Sequence, residues 1–432
     1  MTTQTKSFQK FLLLWIGELI SAVGSGLTSF GLGVYIFEQT GKASAMALVT
    51  LLGFMPSLLL GAIAGVLADR YDRRLLMILG DSLSVLGLVY ILFCMTQGEI
   101  QLWQICIGVT ISSVFTSLVE PAYRATVTDL LTKEQYTKAS GLVQVAASSK
   151  YLISPALAGL LLSISNIKFL ILLDIGTFFI TVLSTLVVRR GIKVHKAESK
   201  LNFIAELKEG WEAITMQRGV LVLVWTSTIL TFCMGFLETL AMPMILTFAS
   251  STVVGILETV IASGMLVSSV IMGLISIRGG YVKILSITLG SSGIFMALFG
   301  LKENIIWITI SGFLFFAMLP FANASLDYLI RTNIENEKQG RAWGLMGVIS
   351  QLGYVASYAL SGVLADYIFT PLLLENGLLA DSVGRVIGIG SGRGIGFLIM
   401  IAGMALAVMS FALYHIKSIR CLESGGERCI LD

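Results

Sequence analysis

The stretch Ala43–Ala68 reads ASAMALVTLLGFMPSLLLGAIAGVLA and contains no charged side chain. An α-helix rises about 1.5 Å per residue, so about 20 apolar residues cross a hydrocarbon layer of about 30 Å. Three further stretches without charge are Ile100–Val119, Asn304–Leu326 and Ala342–Ala365. Repeated apolar segments of this length predict a chain that lies in a lipid bilayer.

The composition of the whole chain points to the same solvent. Hydrophobic residues make up 56% of the 432 positions, charged residues only 13%, and the mean hydropathy is +0.88. The net charge of +3 is too small to suggest a nucleic-acid partner. The five cysteines lack metal-ligand spacing, so no metal or other cofactor is expected. Cys94 and Cys106 flank one short loop, where a disulfide is possible but free buried thiols are favoured.

The pattern predicts an all-α integral membrane protein with twelve spans. The longest polar stretch, Arg189–Arg218, divides them into two six-helix bundles. We predict an N-terminal bundle over 1–190, a linker over 191–217, a C-terminal bundle over 218–416 and a tail over 417–432. Leu201–Arg218, at the end of this stretch, is compatible with an amphipathic helix on the membrane surface. The predicted spans cover residues 10–37, 43–68, 76–96, 101–128, 138–163, 167–188, 219–247, 252–277, 284–300, 304–330, 340–366 and 393–416.

The distribution of Lys and Arg predicts the orientation of the chain. Most of the 29 basic residues fall on the side that carries both termini, and Lys150 falls near the middle of a span. Cytoplasmic loops carry the excess of basic residues in membrane proteins, so both termini are predicted to be cytoplasmic. The exceptions on the other side are Lys42, Lys168, Lys302, Arg385 and Arg393.

The two halves of the sequence resemble each other at a constant offset. Ala139-Ser-Gly-Leu142 aligns with Ala342-Trp-Gly-Leu345, and Ser154-Pro-Ala-Leu-Ala-Gly159 aligns with Ser357-Tyr-Ala-Leu-Ser-Gly362. Parallel repeats of six helices are one architecture of secondary transporters, in which the substrate path runs between the repeats. The offset therefore predicts a pseudo-symmetric pair of bundles.

The loop after the second predicted span carries a family motif. Gly65-Val-Leu-Ala-Asp69-Arg70-Tyr-Asp72-Arg73-Arg74 resembles the G-x-L-A-D-R-x-G-R-K signature of the major facilitator superfamily, with Asp72 in place of a glycine. The resemblance implies a gating motif formed by Gly65, Asp69, Arg70, Arg73 and Arg74. In that family the Asp meets the start of span 11. Gly65 is expected to let another helix approach closely, and Asp81 is assigned to the bracing network of this loop.

A second motif lies in span 5. Ser154, Pro155 and Gly159 resemble part of the G-P-x-x-G-G stretch of antiporters in that superfamily, where Pro bends the helix and small residues permit tight packing. Together with Leu173-Asp174 and the stretch Gly377–Gly396, these motifs resemble the drug and macrolide efflux proteins of the superfamily. The resemblance implies a monomeric multidrug antiporter in a bacterial-type cell membrane. It also implies a proton gradient as energy source and an amphipathic, macrolide-like antibiotic as substrate.

Ionisable residues inside predicted spans are the candidates for binding substrate or protons. A charge at the bilayer midplane costs about 2.5–3.5 kcal/mol even on permissive scales, so Lys150 is not expected to face lipid. We hypothesise that Lys150 faces a central cavity with Glu18 and Glu120 as counter-charges. Arg124 lies one turn from Glu120. A static buried ion pair remains the alternative.

Weaker candidates lie elsewhere in the spans. Asp174 is expected to hydrogen-bond in helix packing rather than to couple transport, and Glu258 is a candidate for an outer cavity. Asp327 and Arg331 have the spacing of a local helix pair. Trp15, Trp225 and Trp343 are candidates for the cavity wall.

Other functions remain open. The same architecture could export, or flip between leaflets, a native metabolite such as a siderophore, a peptide or a lysolipid. A membrane receptor or enzyme is a distant alternative, because no catalytic constellation is evident and the tail is short. We therefore expect a transporter rather than an enzyme, with the lipid bilayer and an amphipathic small molecule as its partners.

Overall fold

The computed structural model describes residues 7–189, 203–275 and 279–423. These ranges contain twelve helices that are long and apolar enough to cross a membrane, here numbered spans 1 to 12. The prediction of a twelve-span, all-α membrane protein is confirmed. The spans cover Phe8–Thr40, Ala43–Arg70, Arg73–Gln97, Leu102–Leu130, Tyr136–Ile164, Ile167–Arg189, Arg218–Leu246, Ser251–Leu274, Tyr281–Phe299, Ile305–Asn333, Asn336–Leu372 and Ser391–His415.

The chain forms two compact units. Of the described residues, the first unit contains those up to Gly41 and those within Leu48–Ser199, and the second contains those within Lys200–Ala249 and Val260–Asp432. Two short segments, at the starts of spans 2 and 8, are exchanged between the units. Lys42–Ala47 packs in the second unit and Ser250–Thr259 packs in the first. The domain limits predicted from sequence stay predictions, and residues 191–202 of the predicted linker lie outside the described ranges.

Each unit packs its helices in the same pattern. In the first unit span 1 contacts spans 5 and 6, and span 3 contacts spans 4 and 6. In the second unit span 7 contacts spans 11 and 12, and span 9 contacts spans 10 and 12. The neighbours in one unit are therefore the repeat-related neighbours in the other, as expected for a duplicated six-helix bundle.

Breaks in three spans lie close to prolines. The helix of span 4 is interrupted at Ser117 and Leu118, just before Pro121, and that of span 5 at Ile153, just before Pro155. Span 11 continues through a π-helical turn at Ala365–Phe369 before Pro371. Proline lacks a backbone N–H and its ring collides with the preceding turn, which weakens the helix at these three places, whereas spans 2, 7 and 10 continue through Pro56, Pro243 and Pro320.

The segment Lys42–Ala47 is held in the second unit by a carboxylate. The backbone N–H groups of Ala43 and Ser44 donate to the two carboxylate oxygens of Asp366, at 3.1 and 2.8 Å. The first N–H groups of a helix have no partner within the helix, and an acidic side chain there also complements the helix dipole. Asp366 therefore caps span 2.

The linker stretch contains a helix, Phe203–Thr215, that packs on spans 11 and 7 in the second unit. Glu209 forms an ion pair with Arg341, and Gly210 lies against the backbone of Arg341. The stretch Leu201–Arg218, for which an amphipathic surface helix is predicted, thus contains a helix. Its location on a membrane surface stays a prediction.

Glycines allow spans 9 and 12 to touch along their backbones. A Cβ at Gly396 would lie 2.6 Å from the carbonyl oxygen of Gly300, closer than real Cβ atoms approach. Between helices in lipid, close backbone packing replaces the hydrophobic effect as the source of association.

We therefore expect Gly396→Leu to destabilise the second unit by about 1–3 kcal/mol or more, since the added side chain forces the helices apart. Gly176→Leu is the matched control, because a Cβ at Gly176 meets no described atom within 4 Å. Thermal unfolding of the purified protein in detergent measures both. Equal melting temperatures for the two variants would contradict this account.

Candidate functional site

An ion network joins the loop between spans 2 and 3 to the end of span 4. The Arg73 guanidinium lies 3.6 Å from the Asp69 carboxylate and donates to Asp129 at 2.8 Å. It also donates to the carbonyl oxygens of Ala68 and Ala125. Arg74 is nearly buried and lies 3.5 Å from the other carboxylate oxygen of Asp129. Asp129, which the sequence analysis did not single out, is therefore the centre of the network.

Asp72, the residue that departs from the family signature, has two structural roles. Its carboxylate accepts from the backbone N–H of Arg74 and so caps span 3. It also accepts from the Arg189 side chain at the end of span 6, at 2.8 Å. Arg70 is exposed. A Cβ at Gly65 would meet no described atom within 4 Å, so the expected close approach is absent from this structure. The contact of Asp69 with span 11 stays a prediction.

Replacing Asp129 by Ala should lower the stability of the folded protein by about 1.5–3 kcal/mol, the usual worth of hydrogen bonds to charged groups. Two arginines lose their acceptor, and one of them is shielded from solvent. Glu120→Ala is the control in the same span, because Glu120 and its partner Arg124 are 71% and 70% exposed. Exposed pairs contribute at most about 1 kcal/mol. Equal melting temperatures for the two variants would remove Asp129 from the centre of the network.

A cluster of acidic residues lies inside the first unit. Glu18 on span 1 interacts electrostatically with Glu120, with Asp81 on span 3 and with Tyr123. Asp81 is 3% exposed, and its Oδ2 has no hydrogen-bond partner among the described residues. The Tyr123 hydroxyl is also buried and has no hydrogen-bond partner among the described residues.

The assignment of Asp81 to the bracing network stays a prediction. Asp81 lies about two helical turns beyond Arg73, at ~3.6 residues per turn, and interacts electrostatically with Glu18 on span 1. The sequence placed it near the loop along the chain, but the rotation of span 3 decides which neighbours it meets.

A second group of polar residues lies further along span 1. Asp174 on span 6 is 2% exposed and accepts from the hydroxyls of Ser25 and Thr177, each at 3.4 Å. Lys150 interacts electrostatically with Asp174, and its ammonium lies 5.9 Å from the Tyr151 ring.

Asp174 is thus an electrostatic neighbour of Lys150 that the sequence did not indicate, and Glu18 and Glu120 as counter-charges of Lys150 stay a prediction. Ser25 lies about 10 Å beyond Glu18 along span 1, at ~1.5 Å per residue, so the two groups sit at different levels. The roles of these residues in binding substrate or protons stay predictions.

A double-mutant cycle tests this pairing. Lys150→Met should leave a buried carboxylate without its cation, and Asp174→Asn should leave the cation without its carboxylate. The double variant should be less destabilised than the sum of the single variants by about 0.5–3 kcal/mol, the range for residues that interact directly. Additive changes in unfolding free energy would mean that the two side chains do not interact.

The predicted packing motif of span 5 contacts the start of span 8 within the first unit. Thr252 donates to the carbonyl oxygen of Gly159 at 2.9 Å, and Gly255 lies against the carbonyl of Pro155. Ser154 donates to the carbonyl oxygen of Val23 on span 1. Glu258 is half-buried on the same part of span 8.

The second unit contains a cavity of about 540 Å³ between spans 7, 8, 10 and 11. Asp327 and Trp343 line it, and a hydrogen-bonded pair of hydroxyls from Ser227 and Ser350 lies at one wall. The remaining lining residues are mostly apolar: Met272, Pro320, Asn323, Ala324, Leu326, Ile330, Met346 and Gly347. An apolar cavity with a few polar groups is the usual form of a small-molecule site.

A smaller cavity of about 360 Å³ adjoins the first and shares Asp327 with it. Arg331 and the stacked rings of Tyr281 and Tyr328, 3.6 Å apart, belong to this smaller cavity. Arg331 donates to Asp327 at 2.6 Å, and its guanidinium lies 5.6 Å from the Trp343 ring. The local pair expected at Asp327 and Arg331 is thus present, and it borders a cavity that sequence spacing did not predict.

Comparisons with known proteins agree with this architecture. The family model described as Major Facilitator Superfamily matches residues 14–248. The sequence is 29% identical over 372 residues to macrolide efflux protein A of Streptococcus pyogenes, covering 83% of this chain and 90% of that protein. It is 30% identical over 323 residues to macrolide efflux protein A of Enterococcus faecalis, covering 72% and 98%.

The fold is also similar to solved structures. The nucleoside transporter NupG superposes with a TM-score of 0.73 at 14% identity, covering 95% of this chain and all of that one. A bacterial homologue of the human lysosomal transporter Spinster gives 0.72 at 12% identity, covering 98% and 99%. At these identities the likeness concerns the fold.

Proposed function

The chain belongs to the major facilitator superfamily and is a multi-pass membrane transporter, and we propose that it exports amphipathic small molecules in exchange for protons. The observation that carries this proposal is the apolar cavity with a single carboxylate, Asp327, among its lining residues. Similarity to macrolide efflux proteins over most of the chain favours a macrolide-like substrate. Alternating access of the two repeats would carry that substrate across the bilayer, with both termini in the cytoplasm.

The acidic cluster of the first unit supports proton coupling. Neighbouring carboxylates in a medium of low dielectric constant repel each other, and one shared proton removes the repulsion. Glu18 accepts no hydrogen bond from the described residues and has two acidic neighbours. Asp81 is nearly buried and its Oδ2 lacks a hydrogen-bond partner among the described residues, so a proton there would remove a poorly compensated buried charge. We assign the coupling proton to Glu18 and Asp81.

Everted membrane vesicles test coupling and direction together. With an imposed proton gradient, wild-type vesicles should accumulate labelled erythromycin, and a protonophore should abolish the accumulation. Glu18→Gln and Asp81→Asn should each reduce accumulation at least tenfold, because the variants cannot carry the proton, yet retain exchange of erythromycin at equal concentrations.

Glu375→Gln is the matched control, since Glu375 is an exposed carboxylate outside the acidic cluster. It should transport at the wild-type rate. Gradient-driven accumulation at the wild-type level by both cluster variants would refute the assignment of the proton. Absence of accumulation in wild-type vesicles, for every macrolide and dye tried, would refute proton-coupled export of such compounds.

Export of a native metabolite such as a siderophore is a second candidate. A staphyloferrin A transporter of Staphylococcus aureus is 27% identical over 180 residues, which cover 41% of this chain. The same vesicles separate the two candidates, because accumulation of a siderophore in place of erythromycin favours the second.

A further inference from the structure

We infer that Arg331 is a built-in substitute for the substrate's positive charge, and that the cavity of the second unit selects amphipathic molecules that carry a protonated amine. This inference rests on the proposed function only in placing the substrate in that cavity. It adds the charge of the substrate, the two residues that recognise it and the residue that competes with it.

The guanidinium of Arg331 interacts with both groups that would bind an organic cation, a carboxylate and an indole ring. It donates to the Asp327 carboxylate at 2.6 Å and lies 5.6 Å from the Trp343 ring. A carboxylate supplies the counter-charge, and the face of an indole ring attracts a cation within about 6 Å. Both Asp327 and Trp343 line the larger cavity, whereas Arg331 lines only the smaller one. The cation of the side chain therefore enters from the neighbouring cavity.

The contact between Arg331 and Asp327 is easily exchanged. The two side chains are 60% and 44% exposed and are one turn apart on span 10. Exposed pairs one turn apart on a helix contribute little to stability, far less than a substrate gains when it also fills an apolar cavity. A ligand ammonium of the same charge therefore displaces the guanidinium at little cost.

The displaced side chain has a place to go. The smaller cavity presents the stacked rings of Tyr281 and Tyr328 beside Arg331. Aromatic faces accept a guanidinium as well as an ammonium.

Other cations of this region form ion pairs with other carboxylates, since Lys338 pairs with Glu335 and Arg341 with Glu209. Among these three cations, Arg331 is therefore the one that competes with a substrate for the Asp327 carboxylate.

The walls of the larger cavity complete the selection. Met272, Pro320, Leu326 and Met346 give it an apolar surface, and methionine side chains adapt to varied shapes. The hydroxyls of Ser227 and Ser350 offer hydrogen bonds to oxygen-rich groups. A bulky, oxygen-bearing molecule with one basic amine matches these features.

The test compares two probes that differ in charge. Erythromycin carries a basic dimethylamino group, and its N-demethyl, N-acetyl derivative is neutral with nearly the same shape. Binding of each to the purified full-length protein in lipid nanodiscs is measured by isothermal titration at pH 7. Wild-type protein should bind erythromycin at least tenfold more tightly than the neutral derivative.

The variants then separate the roles of the residues. Arg331→Met should tighten erythromycin binding at least threefold and leave the neutral derivative unchanged, because both the competing cation and its repulsion of the bound ammonium are removed. Asp327→Asn should remove the preference for erythromycin while retaining the neutral derivative. Lys338→Met is the matched control, a cation of an exposed pair outside both cavities, and should behave as wild type.

Each contrary result overturns the inference. It fails if wild-type protein shows no preference for the charged probe, if Arg331→Met binds erythromycin no more tightly, or if Asp327→Asn keeps the preference. Arg331→Gln replaces Arg331→Met if the latter does not fold. Because binding is measured without a gradient, its failure is distinct from failure of proton-coupled export in vesicles.

Discussion

The absence of water in the hydrocarbon layer is the constraint on which the rest of this structure depends. Each backbone polar group there must form its hydrogen bond within the protein. An α-helix meets this need within a single segment. Charged side chains obey the same constraint, because a lipid-facing charge is costly. Asp174 is accordingly buried and accepts hydrogen bonds from the hydroxyls of Ser25 and Thr177. Asp327 and Arg331 pair beside a cavity.

The two units share a scaffold and differ in chemistry. Repeat-related spans have the same neighbours in both units, so the duplicated packing has been retained. The first unit concentrates the acidic cluster and the ion network around Asp129. The second unit contains the cavity with Asp327 and Trp343. Our proposals accordingly assign proton binding to the first unit and substrate binding to the second.

The sequence predicted the fold well because its strongest signal, hydrophobic length, is the quantity that the bilayer selects. It predicted side-chain partners poorly, because these depend on helix rotation and relative height. Asp81 is near the motif loop along the chain yet interacts electrostatically with Glu18 on span 1, and Lys150 interacts with Asp174 on span 6. The sequence did not indicate Asp129, because this residue lies at a helix end among polar residues. Its contacts with Arg73 and Arg74 form only in the folded chain.

The exchanged helix starts limit how this polypeptide can be divided. Asp366 binds the first N–H groups of span 2, although span 2 otherwise belongs to the first unit. Ser250–Thr259 likewise completes the packing around Pro155 and Gly159. A fragment cut at the linker would lack part of its own interior and would leave the first N–H groups of span 2 without the carboxylate that accepts from them. Evolution of one half is therefore tied to the residues at a few positions in the other.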